Sequence, residues 1–382
     1  MRTFKRAALY AAVLLFIIML SACGLLIEGT HSDVRPHQTT PDPVWDDDYI
    51  TVSSQEELEQ AIWDMVRMRR ESALFRIQHF QSDGRELLDT AVWEVGLRPL
   101  AAYAVSSFLP TILNEWQGVT EIELVISYQK TAAQIAAVRT VNSPDTASAL
   151  LGQMLRTGET YMAMLCPVNI ANVGFLEGIL RTYYYDHPLE VIVFPDTVIN
   201  LYPSSGSGNQ RIAEITLDFG FDQDTLTQMR EDLWQAAADL IVELPEDLSP
   251  AQQVIRLAEI LGAWYEPRSE EDEPDALHGT AYGALTREAA SDMGIARAFQ
   301  GLLRLLGLHA QIIQGELDGV PHVWNIVRLD GYYYHVDVSR LVDLGPELTL
   351  FVPDEVMMFQ NGYSWDTVLY PRADSELRYG DF

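Results

Sequence analysis

The stretch PHVWNIVRLDGYYYHVDVSR contains a histidine and an aspartate, His322 and Asp337, that together could orient a proton transfer. An aspartate that holds one nitrogen of a histidine ring leaves the other nitrogen free as a base, which is the orienting pair of a catalytic triad. Asp330-Gly331, in the middle of the stretch, is a strong signal for a type I′ hairpin turn. Around that turn, Asp337 becomes the diagonal neighbour of His322, within reach of a hydrogen bond. The stretch therefore predicts half of a catalytic site.

The two faces of this predicted hairpin differ, because side chains alternate along a strand. One face is predicted to pack into the core. Its residues form the cross-strand pairs Leu329 with Tyr332, Val327 with Tyr334, Asn325 with Val336 and Val323 with Val338. The opposite face is predicted to be polar and to carry the site. It holds His322, Trp324, Ile326, Arg328, Tyr333, His335, Asp337 and Ser339. A slip of one residue would separate the histidine from the aspartate. An alternative stays open, in which both residues only decorate a solvated sheet face.

The segment from about residue 249 to residue 356 resembles the transglutaminase-like domain of the papain-related superfamily. The matching pieces are, in order, AYGAL, LLRLLGLHAQIIQG, HVWN, DGYYYHVDVS and FVPDEVM. The resemblance implies a cysteine nucleophile at the head of a helix, with His322 and Asp337 as the other two triad residues. It also implies supporting positions for Trp324, Asn325 and Tyr282.

At the nucleophile position this chain has an aspartate, because it reads DMGIA from Asp292 where the family reads Cys-x-Gly-Tyr-Ala. A carboxylate that attacked an amide would form an anhydride, a poor and reversible product beside a thioester. Amide cleavage and Gln–Lys cross-linking are therefore not expected. Asp292 is predicted to be the N-cap of the helix, where an ionised carboxylate is stabilised. Cys166 lies in an apolar run and is predicted to be a buried, inert thiol.

Three functions follow from these residues. The preferred hypothesis is a catalytically inactive transglutaminase-like domain that keeps its cleft to bind a peptide or cell-envelope ligand, without a metal or cofactor. The second is a hydrolase or peptidase-like enzyme in which Asp292, His322 and Asp337 act as acid, base or metal ligands. The third is a structural or assembly lipoprotein that acts through its N-terminal region. Whether the protein is an enzyme stays open, with the missing thiol against it.

The start of the chain predicts export and anchoring. Three basic residues precede an apolar run from Ala7 to Leu20, and the run ends in LSAC at Cys23. This segment resembles the lipobox of bacterial lipoproteins, which implies a signal peptide over residues 1–22 and a lipid on Cys23. The lipid would hold the protein on the cell membrane, outside the cytoplasm. The alternative is an uncleaved anchor helix, for which the run is short.

The composition limits the partners. The chain has 55 Asp and Glu residues against 25 Lys and Arg residues, a net charge of −30. Such a charge argues against nucleic acid as a partner and against docking on anionic headgroups. An apolar content of 48% excludes wholesale disorder. With Cys23 assigned to the lipid, Cys166 has no partner for an intrachain disulfide.

The elements along the chain predict an α+β fold. Residues 23–50 are predicted to be a flexible stalk, residues 51–221 an N-terminal α+β domain, and residues 222–382 the transglutaminase-like domain with an antiparallel sheet. In the N-terminal domain, an order of helix, strand, helix and hairpin recurs after roughly 80–90 residues, which predicts a duplicated unit. The sequence similarity between AAQIAAVRTV and NQRIAEITLDF supports the duplication. The stretch PLAAYAVSSFLPTILNEW is predicted to be helical.

Overall fold

The computed structural model describes residues 44–45, 49–78, 83–116, 118–206, 208–266 and 275–382. The predictions for the signal peptide, for Cys23 and for most of the stalk lie outside these residues. Within the described ranges, no helix has both the length and the apolar character that a membrane span requires. The chain forms two compact units, Met1–Gly96 with Val105–Gln129 and Leu97–Ala104 with Lys130–Phe382. The predicted boundary between residues 221 and 222 falls inside the second unit.

The first unit is a sheet with two helices. Its elements are β1 (Val44–Trp45), β2 (Ile50–Val52), α1 (Gln55–Met68), β3 (Ser72–Gln78), α2 (Gly84–Gly96), β4 (Val105–Trp116) and β5 (Val119–Tyr128). The strand order is β1-β2-β3-β5-β4, with β2 and β3 parallel. Helix α1 begins where the Ser54 side chain accepts the N–H of Glu57, and it ends at Arg69 in the left-handed conformation.

The first part of the second unit repeats this topology. Its elements are α3 (Pro99–Ala104), α4 (Ala132–Ala136), β6 (Arg139–Thr140), α5 (Pro144–Thr157), β7 (Tyr161–Pro167), α6 (Val173–Asp186), β8 (Asp196–Tyr202) and β9 (Gln210–Asp218). The order β6-β7-β9-β8 matches β2-β3-β5-β4, and the first two strands of each are parallel. Ile50 pairs with Phe75 and Arg139 with Met164, an offset of 89 on both strands (139 − 50 and 164 − 75). The two sheets therefore share their strand order and parallel pair, and a duplicated α+β unit stays a prediction.

Two local predictions in this region are wrong. The helix predicted over PLAAYAVSSFLPTILNEW ends at Ala104, and β4 continues from Val105 to Trp116. This stretch contains Pro110, followed by a threonine and an isoleucine. Proline is unfavourable in the interior of a helix, and β-branched residues favour a strand. The segment AAQIAAVRTV forms α4 and β6, whereas NQRIAEITLDF contains β9. The two segments are therefore not equivalent.

The rest of the second unit carries a five-stranded antiparallel sheet. Its helices are α7 (Gln223–Val242), α8 (Pro250–Gly262), α9 (Ala281–Arg287) and α10 (Asp292–Leu305). They are followed by β10 (His309–Leu317), β11 (Val320–Leu329), β12 (Tyr332–Val336), α11 (Leu341–Leu344), α12 (Pro346–Thr349), β13 (Leu350–Val352), α13 (Asp354–Phe359) and β14 (Tyr363–Trp365), in the order β13-β12-β11-β10-β14. The predicted α+β class and antiparallel sheet are confirmed.

A shared core joins the second repeat to this C-terminal region. One cluster of buried apolar side chains extends from the second sheet through α10 to β11 and β12. Arg297 of α10 is fully buried, and its guanidinium donates to the backbone oxygens of Tyr184 at 2.9 Å and Val191 at 3.1 Å. Its Cζ atom lies 3.6 Å from the centre of the Tyr184 ring. These contacts fasten the helix that carries Asp292 to the end of α6.

Candidate functional site

The hairpin that carries the site has the predicted turn and register. Asp330 and Gly331 both have positive φ, 49° and 90°, as a type I′ turn requires. Leu329 pairs with Tyr332, Val327 with Tyr334 and Asn325 with Val336, as predicted. The fourth predicted pair does not form, because β12 ends at Val336 and the N–H of Asp337 donates to the Thr349 backbone oxygen at 2.8 Å.

The face predicted to be polar is buried, so the alternative in which His322 and Asp337 decorate a solvated sheet face is wrong. Trp324, Ile326 and His335 are at most 1% exposed. Trp324 and Ile326 belong to a second apolar core, whose other members are Ile313, Val352, Met357, Tyr363 and Ala373. Residues from β13 onward thus form a layer over this face. Nothing in the hairpin sequence indicates that layer, because its residues follow the hairpin along the chain.

The three residues predicted for a triad come together around the His322 ring. Its Nε2 atom lies 2.7 Å from Oδ2 of Asp337, and its Nδ1 atom lies 3.2 Å from Oδ2 of Asp292. The imidazole is only 8% exposed. The ring is thus held between two carboxylates, one on each nitrogen, and Asp292, His322 and Asp337 are called the triplet below.

Asp337 is the buried anchor of the triplet, with 1% of its surface exposed. Its Oδ1 atom accepts the Ser339 hydroxyl at 2.7 Å and the Arg340 backbone N–H at 3.3 Å. Its Oδ2 atom accepts the Tyr363 hydroxyl at 2.6 Å in addition to the His322 ring. A buried carboxylate needs such donors, and here both oxygens are satisfied.

Asp292 is the outer carboxylate and is the first residue of α10, so its prediction as the N-cap is wrong. Ser291 occupies the N-cap position and makes no side-chain capping bond. Oδ1 of Asp292 accepts the N–H of Met293 at 2.8 Å, and Oδ2 accepts the N–H of Val323 at 3.0 Å. About a quarter of the side chain, 25%, is exposed. The carboxylate thus links the positive end of α10 to β11.

The two carboxylates keep His322 protonated. Burial alone would lower the pKa of His322, but the hydrogen bonds and negative charges of Asp292 and Asp337 outweigh it and raise the pKa to about 9. At neutral pH both ring nitrogens therefore carry protons and donate them. The prediction from the hairpin left one nitrogen free as a base, and Asp292 occupies that nitrogen.

The supporting residues have three different placements. The Trp324 ring stacks beside His322, with ring centres 6.0 Å apart and planes 18° from parallel. Asn325 points to the other face of β11, where its Nδ2 donates to the Ala296 backbone oxygen at 3.0 Å and holds α10 against the strand. Tyr282 lies on α9 and packs, partly buried, against the main core. The structure thus brings Trp324 to the triplet and gives Asn325 a role in positioning α10.

Three contact residues were not among the predicted site residues. Tyr363 and Ser339 donate to Asp337, and His335 joins Trp324 to Asp354. The alternation of the hairpin already placed Ser339 and His335 on the site face, so a signal existed for these two. Tyr363 had none, since it lies on a different strand without a recognisable motif.

Cys166 is buried as predicted, and burial raises the pKa of its thiol to about 11. In the part of the chain that the structure describes, no group of three or more His, Cys, Asp or Glu side chains is placed to hold a metal ion.

Comparisons with known proteins give distant likenesses of fold. No family model matches the sequence, and no curated protein matches it. The solved structure of a TGase matches with a TM-score of 0.27 and 10% identity, over 58% of this chain and 62% of the TGase chain. A proposed cysteine protease from Cytophaga hutchinsonii matches with a TM-score of 0.24 and 14% identity, over 38% of this chain and 62% of that one. This chain thus spans less than two thirds of either structure, and the likeness concerns the fold alone.

Proposed function

We propose that this protein is a membrane-anchored lipoprotein with a catalytically inactive transglutaminase-like domain that binds a peptide or cell-envelope ligand. The proposal depends on one observation above all. The Asp292 carboxylate lies 3.2 Å from Nδ1 of His322, and the sequence resemblance puts Asp292 where the family has its nucleophile.

The chemistry of the triplet supports the loss of catalysis. A family-type reaction needs a thiolate that can form a thioester and a histidine that can pass a proton on. Asp292 has no thiol, and His322 donates both of its N–H groups to carboxylates at neutral pH. A histidine that keeps its proton to a pKa of about 9 is a poor base at neutral pH.

The charges of the triplet support a site that keeps its structure after the loss of its catalytic thiol. A cysteine–histidine pair in its ionised form places a negative charge beside a positive one. With Asp292 the order of charges is the same: negative, positive and, at Asp337, negative again. A buried charge that loses its partner destabilises a protein strongly, so a carboxylate is a replacement that keeps the surrounding structure intact.

The first experiment restores the thiol. In the Asp292→Cys variant, the new thiol would lie at the head of α10 beside protonated His322, and both effects lower a thiol pKa well below the usual ~8.5. The rate of alkylation by iodoacetamide as a function of pH gives that pKa. Asp354→Cys is a matched control, because Asp354 is also the first residue of a helix and also contacts a histidine, His335.

The two variants test whether Asp292 occupies a former nucleophile position. We expect Asp292→Cys to react at clearly lower pH than Asp354→Cys, because His335 is neutral. Equal and ordinary thiol pKa values in the two variants would show that this site is not a preserved nucleophile position.

The anchor and the ligand need separate tests. Cys23→Ser in the full chain should move the protein from the membrane fraction to the soluble fraction, and an unchanged distribution would contradict lipid anchoring. Co-sedimentation of the full chain with purified peptidoglycan, with and without excess soluble stem peptide, tests the envelope ligand. We expect the wild-type protein to sediment with peptidoglycan and to be released by excess stem peptide. The Asp292→Cys variant should bind no better than the wild type.

A further inference from the structure

His335 is a completely buried histidine whose two nitrogens face different partners. Nδ1 lies 2.9 Å from the indole Nε1 of Trp324, and Nε2 lies 2.8 Å from Oδ1 of Asp354. An indole N–H can only donate, so Nδ1 of His335 must offer a lone pair. The proton of the ring is therefore on Nε2, where it is donated to Asp354. These two contacts define His335 as a neutral ring in a single tautomer.

Among the described residues, one charged side chain lies within hydrogen-bonding distance of the ring. Asp354 at the start of α13 faces Nε2. The side chains that neighbour the ring from the other strands are uncharged: Trp324 and Ile326 on β11, Val352 on β13 and Trp365 on β14, whose ring centre is 4.6 Å away. Burial lowers the pKa of His335, and Asp354 opposes it only in part.

A second proton on this ring has a specific consequence. It would go to Nδ1, where it would face the N–H of the Trp324 indole, and two donors cannot share a hydrogen bond. The indole would lose its partner and would be left buried with an unsatisfied N–H, which is unfavourable. Either the indole or the imidazole must then turn away from the other.

The indole also forms part of the enclosure of the triplet. Besides its stacking on His322, the Trp324 ring packs edge-to-face against Tyr363 at 5.1 Å and Trp365 at 5.7 Å. Tyr363 in turn donates to Asp337. A displacement of the indole therefore removes a wall of His322 and disturbs the residue that binds Asp337.

From this geometry we propose that His335 is an acid-sensitive switch for the enclosure of the triplet. Neutral His335 holds the Trp324 indole beside His322, and protonated His335 releases it and opens the triplet to solvent. The switch does not depend on the proposed ligand-binding function, since it concerns the access to the triplet and not its occupant.

The test follows the Trp324 indole N–H in two-dimensional proton–nitrogen spectra of the protein between pH 8 and pH 5. In the wild-type protein this signal should shift and exchange faster with water as the pH falls below 6.5, the ordinary pKa of histidine. In His335→Gln, an amide oxygen can accept from Trp324 and an amide N–H can donate to Asp354, and neither titrates. We expect the pH-dependent change to disappear in this variant. His309→Gln, at an exposed histidine of the same sheet, is the control and should behave as the wild type.

Persistence of the change in His335→Gln, or its absence from the wild type, would overturn the switch. A second measurement covers the case in which His335→Gln does not fold. In Trp324→Phe the donor to Nδ1 is gone, and the ring signals of His335 should report a proton affinity about tenfold higher than in the wild type, which corresponds to one hydrogen bond. An unchanged affinity would equally refute the switch.

Discussion

Two histidines on one face of the same hairpin differ in charge. His322 and His335 are both buried, and each has a nitrogen within 2.8 Å of an aspartate oxygen. They differ in what the other nitrogen meets, which is a second carboxylate at His322 and the Trp324 N–H at His335. The first ring is protonated at neutral pH and the second is neutral. Burial and one aspartate therefore do not decide the charge of a histidine, and the second contact does.

The difference also decides how strongly each histidine binds its aspartate. At His322 the bond to Asp337 joins two buried charges, so the removal of either one leaves the other uncompensated. At His335 the bond to Asp354 joins a neutral ring to a carboxylate that is partly exposed, with 22% of its side chain accessible. The first contact should therefore be much harder to remove than the second.

The largest expected effect is the difference in stability between two single variants, Asp337→Asn and Asp354→Asn. Asp337→Asn leaves protonated His322 with a single carboxylate and puts an amide opposite the hydroxyls of Ser339 and Tyr363. We expect the free energy of unfolding in urea to fall by about 3–5 kcal/mol. Asp354→Asn keeps an oxygen that can accept from His335, and should lower it by about 1 kcal/mol. Similar losses in both variants would contradict the assigned charge states.

The pH dependence of stability should have opposite signs at the two rings. The pKa of His322 is raised from 6.5 in the unfolded chain to about 9, so its contribution is complete below pH 6.5 and is lost as the pH rises through 9. The pKa of His335 is lowered, so its contribution is present above pH 6.5 and is lost as the pH falls through its folded value.

Two variants measure these signs in urea at a series of pH values. The stability difference between the wild type and His322→Gln should shrink between pH 6.5 and pH 9, by at most about 1.4 kcal/mol per pH unit. The difference between the wild type and His335→Gln should shrink below pH 6.5 instead. Parallel curves for the two variants would show that both rings have the same charge state.

The smallest effect is expected at the outer carboxylate. Asp292 is more exposed than Asp337, and water can replace part of its interaction with His322. Asp292→Asn should therefore lower the free energy of unfolding by about 1 kcal/mol. It should also lower the pKa of His322, as measured from the ring signals during a titration. Asp343→Asn, whose side chain is 59% exposed, is the control that should change neither value. A loss as large as that of Asp337→Asn would mean that the outer carboxylate is the true anchor.

Local patterns predicted the hairpin well. An Asp-Gly turn and alternating side chains decide the register among neighbouring residues, and the structure has that register from Leu329 and Tyr332 to Asn325 and Val336. The recurrence of helix caps was also predictable, because the serines that begin α1 and α5 precede similar helical patterns. By contrast, the similarity between AAQIAAVRTV and NQRIAEITLDF was misleading, since short apolar segments of similar composition can form a helix in one place and a strand in another.

Three features of the site could not be predicted, because each depends on distant residues. The face of the hairpin with His322 is buried by a layer formed after β12. The N-cap prediction for Asp292 took only the helix into account, whereas its Oδ2 bonds to β11. The second repeat and the C-terminal sheet share a core, and Arg297 reaches two backbone oxygens more than a hundred residues earlier in the chain.

The sequence alone determined the turn, the strand register and the residue types at the triad positions, because these depend on local backbone chemistry and alternation. The tertiary structure alone decided the protonation of the two histidines. A buried histidine takes its charge from the groups that touch its two nitrogens. At His322 and His335 those groups come from α10, from the residue after β12, from β11 and from α13.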